Sequence, residues 1–141
     1  MKPLTVSGTL GALSAIAEYV KAAAKAAGLE RKAAYRLRLA VDEIATNIIV
    51  YGYQKAGREG VVDLRADIDE HTLTISIEDN GVAFDPLQQF PREEETLALP
   101  FEERPIGGLG LYLAIQSVDQ FFYERSGERN RNILVVNRTK A

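Results

Sequence analysis

The chain has 141 residues, 46% of them hydrophobic and 26% charged, a length and composition suited to one compact domain with a real core. Its net charge of -3 gives no general electrostatic ground for direct nucleic-acid binding, and the lack of cysteine excludes disulfides, thiolate zinc sites and cysteine nucleophiles. No apolar run reaches the roughly 18–20 residues of a membrane-spanning helix, and the first residues lack the apolar stretch of a secretory signal, so no membrane association and a cytoplasmic location are expected.

Residues 4–6 read as a short strand closed by Ser7-Gly8. Residues 10–27 are alanine-rich, with Leu13, Ile16, Ala17, Val20 and Ala24 at helical spacing and Gly28 at the C-cap position. A second helix is expected from about 30 to 52, its apolar stripe being Leu37, Val41, Ile44 and Ile48. After a polar loop over 54–60, Val62, Leu64, Ala66 and Ile68 alternate, as do Leu73, Ile75 and Ile77. The short connection Asp69-Glu70-His71 makes these two runs an antiparallel hairpin. Residues 85–106 break all periodicity and carry four prolines with the acidic run Glu93-Glu94-Glu95, a loop long enough to suggest a functional segment. A helix over about 110–118 and strands over 121–125 and 133–136 follow. Strands in adjacent runs, separated by helices, favour an α/β two-layer sandwich with a mixed, mainly antiparallel sheet and its helices on one face.

Three segments have residue types suited to chemistry. Glu43 and Asn47 are four apart, hence on one helix face beside the apolar stripe. A carboxylate and an amide there can accept a proton and offer oxygen to Mg²⁺; taken alone, the pair is more simply a solvated helix flank. Asp79-Asn80-Gly81 ends a strand, and Asn-Gly is first of all a tight-turn signal. Yet residues 82–86 make a poor return strand, and a carboxylate beside a glycine can accept a hydrogen bond from an exocyclic amine while the backbone approaches a base closely. Gly107-Gly108-Leu109-Gly110-Leu111 opens a helix, where backbone N–H groups and the helix dipole favour phosphate. The lysine and hydroxyl residue of a Walker loop are absent from it, and its spacing is not that of a Rossmann turn. His71, the single histidine, reads as an exposed turn residue, and Tyr51 and Tyr53 as packing residues.

The order of these segments resembles the GHKL, or Bergerat-fold, ATPases, which include histidine kinases, gyrase and the anti-sigma-factor serine kinases. The resemblance is strongest to the last group. It rests on Leu39-Ala40-Val41-Asp42-Glu43-Ile44-Ala45-Thr46-Asn47 with Tyr51-Gly52-Tyr53, on Asp79-Asn80-Gly81 with Phe84-Asp85-Pro86, and on residues 107–113 with Val118-Asp119 and Tyr123-Glu124-Arg125. It covers nearly the whole chain and implies a single ATP-binding kinase domain over 1–141.

By that resemblance Glu43 would be the general base for an attacking serine or threonine hydroxyl, and Asn47 would ligate Mg²⁺ bridging the phosphates of ATP. Asp79 would bind the adenine amine and Gly81 would allow its approach, with Ala83 and Phe84 continuing the base-binding turn. Gly107, Gly108, Leu109, Gly110 and Leu111 would form the phosphate segment, the N–H groups of Gly108 and Gly110 holding phosphates. Residues at about 86–106 would be the ATP lid. The family further implies a homodimer, a sigma factor as partner and an anti-sigma-factor antagonist as protein substrate. The alternative is a non-catalytic module whose nucleotide state controls partner binding. Three features depart from the family's pattern: Ala83 stands where many members have a second glycine, the last strand (Asn132 to Val136) lacks a supporting threonine, and a second domain with a phospho-accepting histidine is not expected.

Overall fold

The computed structural model describes residues 1–89 and 106–138. Strand β1 (Leu4–Ser7) leads through a 3₁₀ turn (Leu10–Ala12) into helix α1 (Leu13–Ala26). Ile16, Val20, Ala23 and Ala24 form the buried stripe of α1. The helix ends as expected at Gly28, whose φ of 69° lets Leu29 N–H turn back to the Ala24 carbonyl at 3.0 Å. Helix α2 (Arg31–Asn47) buries Leu37, Val41 and Ile44 and then widens into a π-helical segment, Ile48–Gln54. The single regular helix expected up to residue 52 is therefore corrected. Asn47 Nδ2 donates to the Glu43 carbonyl at 2.7 Å, taking up an acceptor of the helix ladder just before the register changes.

Strands β2 (Val61–Ile68) and β3 (Thr72–Asp79) form the expected hairpin. Asp69 Oδ1 organises its turn by accepting the N–H groups of His71 and Thr72 at 2.8 and 2.7 Å, with His71 exposed. The segment expected to be wholly irregular contains a one-turn helix α3 (Pro86–Gln89), started by Asp85 Oδ1 accepting Leu87 N–H at 2.9 Å. Helix α4 (Ile106–Gln116) begins four residues earlier than its expected start at 110. Strands β4 (Gln120–Ser126) and β5 (Arg129–Asn137) form a hairpin around Gly127, whose φ is 61°.

The sheet order is β1-β2-β3-β5-β4, and every pair among the described strands is antiparallel. The expected two-layer α/β sandwich is what forms, without a parallel pair. One sheet face presents Val62, Leu64, Leu73, Ile75, Ile77 and Leu134 to the helices, and these are at most 1% exposed. The other face carries an ionic ladder in which Arg129 bridges Asp63 and Glu78, and Arg131 bridges Glu78 and Glu124. Removing the inner apolar face from water supplies the main drive for folding, about 1.5–3 kcal/mol for each large side chain. The half-exposed ion pairs add little.

Candidate functional site

At one end of the interior face the apolar layer gives way to polar residues. Asp79, the last residue of β3, is 1% exposed and pairs across the sheet with Asn130 of β5. Asn130 Nδ2 donates to Asp79 Oδ1 at 3.0 Å and to the carbonyls of Gly81 and Val82 at 3.1 and 3.3 Å. Asn130 Oδ1 in turn accepts the Tyr123 hydroxyl, and Arg125 Nη1 at 2.9 Å. Gly81 N–H closes on Asp79 Oδ1 at 2.8 Å, so that oxygen is fully engaged. Its twin, Asp79 Oδ2, is buried with no hydrogen-bond partner among the described residues, and the same is true of Asn132 Oδ1. Burial pushes the Asp79 carboxyl above its ordinary value of 3.8; the hydrogen bonds from Asn130 and Gly81 and the charges of Arg125 and Arg129 act in the opposite direction.

The turn after Asp79 is clamped to the π-helical segment. Gly52 carbonyl accepts Val82 N–H at 3.2 Å. A Cβ on Gly81 would stand 2.8–2.9 Å from the Gly52 backbone, so only glycine permits this approach. Tyr53 fixes the turn from the other side: its hydroxyl accepts Asn80 N–H at 2.9 Å and donates to the Val61 carbonyl at 2.6 Å. Its ring is held between Gly8 and Gly60, where added Cβ atoms would approach to 2.5 and 2.6 Å. Tyr53 is thus more than the packing residue expected. Tyr51, expected to pack, is instead exposed, with its ring parallel to that of Phe84 at 6.1 Å between centroids and under the Lys55 ammonium.

These elements enclose a pocket. Asn47, Asp79, Phe84 and Leu111, each a site residue expected from the sequence, line it together with Ile44, Ile48, Gly52, Val82, Pro86, Asn130 and Asn132. The enclosed volume is about 10 Å³, room for about one water and too little for a purine as the side chains stand. Ala83 is exposed and does not line the pocket. The asparagines of β5 were missed because residues 129–132 do not alternate in hydrophobicity; the signal available was the length of the gap between two expected strands.

Glu43 lies beside the N-terminal part of α4. A Cβ added to Gly110 would sit 3.5 Å from Glu43 Oε1, in ordinary van der Waals contact, so the carboxylate lies against this glycine. Burial, and secondarily the neighbouring Asp42, raise the Glu43 carboxyl above its ordinary value of 4.5. The bond from Asn47 Nδ2 to the Glu43 carbonyl orients that amide and leaves Oδ1 as its ligand atom. Because α4 starts at Ile106, the unbonded donors of its first turn belong to residues 106–108. The N–H groups of Gly107 and Gly108 thus precede the intrahelical ladder, and the Gly110 N–H lies within it. Of the expected lid, 86–89 is helical and residues 90–105 lie outside the described residues. Among the described residues no helix is long and apolar enough to cross a membrane, and no group of three or more His, Cys, Asp or Glu could hold a metal ion.

A family model described as the histidine kinase-like ATPase domain matches residues 6–136. The chain belongs to that family. Among curated relatives of this ATPase domain, an anti-sigma F factor of Clostridium perfringens (strain SM101 / Type A) is 30% identical over 104 residues, covering 74% of this chain and 70% of its own. The serine-protein kinase RsbW of Bacillus pumilus (strain SAFR-032) is 34% identical over 90 residues, covering 60% of this chain but only 53% of the relative. The resemblance to anti-sigma serine kinases within the GHKL superfamily is therefore met. The histidine kinase domain of the Erythrobacter litoralis EL346 blue-light activated histidine kinase superposes with a TM-score of 0.54 at 18% identity, covering 91% of this chain and 60% of that one. At that identity the likeness shows the shared fold.

The lining fits an adenine nucleotide chemically. Two buried acceptors without partners suit an exocyclic amine, and Ile44, Ile48 and Leu111 suit the faces of a flat ring. A Mg²⁺ ion here would rely on Asn47 and on phosphate and water oxygens, as this cation commonly does.

Proposed function

We propose that this ATPase-family domain is a serine/threonine protein kinase acting as an anti-sigma factor, which transfers phosphate from ATP to an anti-sigma-factor antagonist in a partner-switching pathway. The observation that carries the kinase reading is the position of Glu43, a half-buried carboxylate facing the glycine-rich first turns of α4 and one helical turn from Asn47. The names of the relatives support the direction of the pathway.

Phosphoryl transfer demands mainly positioning and charge neutralisation. Asp79 accepts the adenine amine through Oδ2, and the clamp of Gly81 on Gly52 keeps the turn close to the base. Asn47 Oδ1 offers a ligand to Mg²⁺, which would neutralise phosphate charge when bound. The N–H groups of Gly107 and Gly108 face the phosphates at the positive end of α4. Glu43 takes the proton of the incoming serine or threonine hydroxyl, and its raised pKa brings its basicity closer to neutral pH. Residues at about 86–106 act as the lid, the domain spans 1–141, the protein works as a homodimer, and its location is cytoplasmic.

The test is transfer of label from ATP, with Mg²⁺, to a cognate anti-sigma-factor antagonist. Glu43→Gln is expected to lower transfer at least about 100-fold while ATP affinity stays within about threefold. A parent protein that binds ATP but transfers no label overturns the kinase reading. Partner binding that still follows nucleotide state in Glu43→Gln would then favour the non-catalytic module.

A further inference from the structure

Six cations fall within residues 21–38: Lys21 and Lys25 on α1, and Arg31, Lys32, Arg36 and Arg38 on α2. Glu30 is the only acid in that span, which therefore has a net charge of +5 on a chain whose total is -3. All six residues are exposed, and among the described residues none of them pairs with a carboxylate. Lys25 suits the last turn of α1, but the cations of α2 are placed against local electrostatics. Arg31 and Lys32 stand at the positive end of the helix, in a first turn that holds no acid. Lys32 and Arg36 are a like-charge pair one turn apart, as are Lys21 and Lys25. This arrangement destabilises the helices that carry it, so helix formation gives no reason for it.

Apolar side chains share the surface. Tyr35 is 55% exposed and Leu39 40%, one turn apart, and the Arg38 guanidinium lies 5.8 Å from the centre of the Tyr35 ring. Arg38, Leu39 and Asp42 rim a groove of about 200 Å³ between α1 and α2, whose floor is the buried Ile16, Val20 and Val41. An apolar floor beside a basic rim matches an amphipathic helix with an apolar stripe flanked by carboxylates. Nucleic acid lacks the aliphatic side chains to fill such a floor, and a bilayer surface is too broad to enter a channel between two helices. Asp42 also repels the phosphates of both. We propose that the α1–α2 groove is a docking site for an acidic amphipathic helix of a protein partner, seated on Leu39 and Tyr35 and held by the cations of α2. From Arg31 to Asp42 the seat is about 17 Å long, or about three helical turns. It lies on the first turns of α2, whereas Ile44, Asn47 and Ile48 line the pocket at the other end.

Fluorescence anisotropy of the full chain tests it, with a labelled peptide of about 18 residues, long enough to form a helix. The peptide carries leucines at i, i+3, i+4 and i+7 spacing and glutamates elsewhere. The comparison probes are the same peptide with lysines for glutamates, phosphatidylserine-containing phosphatidylcholine vesicles, and a single-stranded oligonucleotide. The glutamate peptide is expected to bind at least about 10-fold tighter than the lysine peptide, less so as salt rises. Arg31→Glu/Lys32→Glu/Arg36→Glu is expected to weaken that binding at least about 10-fold and yet to melt at a higher temperature, since acids then occupy the start of the helix. Leu39→Ser is expected to weaken it about fivefold with every cation kept. Equal affinity for the two peptides, or full binding by the triple variant, overturns the proposal. Tighter binding of the vesicles or the oligonucleotide than of the glutamate peptide also overturns it, and makes the patch a membrane or nucleic-acid surface. If the triple variant does not fold, Lys32→Glu carries the same comparison.

Discussion

Asn130 and Asp79 stand opposite each other on β5 and β3, and the amide of one holds the carboxylate of the other at 3.0 Å. This bond engages one carboxylate oxygen and leaves the other facing the pocket. Asn130 also ties the carbonyls of Gly81 and Val82, so one side chain holds both the acid and the turn that follows it. Asn130→Ala should destabilise the fold by about 2–3 kcal/mol, because buried acceptors lose their donor. Thermal denaturation checks this, and a change below about 0.5 kcal/mol would deny the network its importance.

The buried charge of Asp79 costs stability. Its folded pKa lies above 3.8, so its charged form is disfavoured by folding. Its contribution is therefore fully present below pH 3.8 and is lost as pH rises through the raised folded value. Asp79→Asn removes that titration. At pH 7 the variant should melt higher than the parent, with the gap closing in acid, while calorimetry finds no ATP binding. A variant that binds ATP like the parent would remove Asp79 from the site.

Gly81 and Gly110 separate backbone necessity from ligand space. Gly81→Ala drives a Cβ into the Gly52 backbone at 2.8–2.9 Å, with no flexible side chain to yield. A loss of about 2–3 kcal/mol is expected, with weakened nucleotide binding. Gly110→Ala meets Glu43 at an ordinary 3.5 Å and should raise stability by up to about 1 kcal/mol in this helix. If phosphates or the acceptor hydroxyl occupy that space, phosphoryl transfer falls even so. Unchanged transfer in Gly110→Ala would show that the glycine is not needed for substrate.

Tyr53→Phe keeps the ring between Gly8 and Gly60 but strands the Asn80 N–H and the Val61 carbonyl. The expected cost is about 1–3 kcal/mol. Amide exchange at Asn80 should quicken well beyond the change at the centre of β3. Uniform quickening along the strand would mark Tyr53 as a general packing residue instead.

Much of this protein was legible in its order of residues. The stripe Leu37-Val41-Ile44-Ile48, the alternation in β2 and β3, and Gly28 as a helix stop each report a local rule, since helix and strand periods are written into which residues are apolar. The family resemblance likewise needed only the order of short motifs around Glu43 and Asn47, Asp79 and Gly81, and the glycines at 107–110. Tertiary structure alone decided the first half of β5, where the inward residues are Asn130 and Asn132 and no apolar alternation marks a strand. Their place in the interior depends on partners roughly 50 residues away on β3, which hydrophobic periodicity cannot encode. The clamp between Gly52 and Gly81 is of the same kind, because a π-helical turn and a close backbone contact leave no periodic trace. Local pattern thus set the elements, and cross-strand pairing determined which polar groups were buried together and which were left open to a ligand.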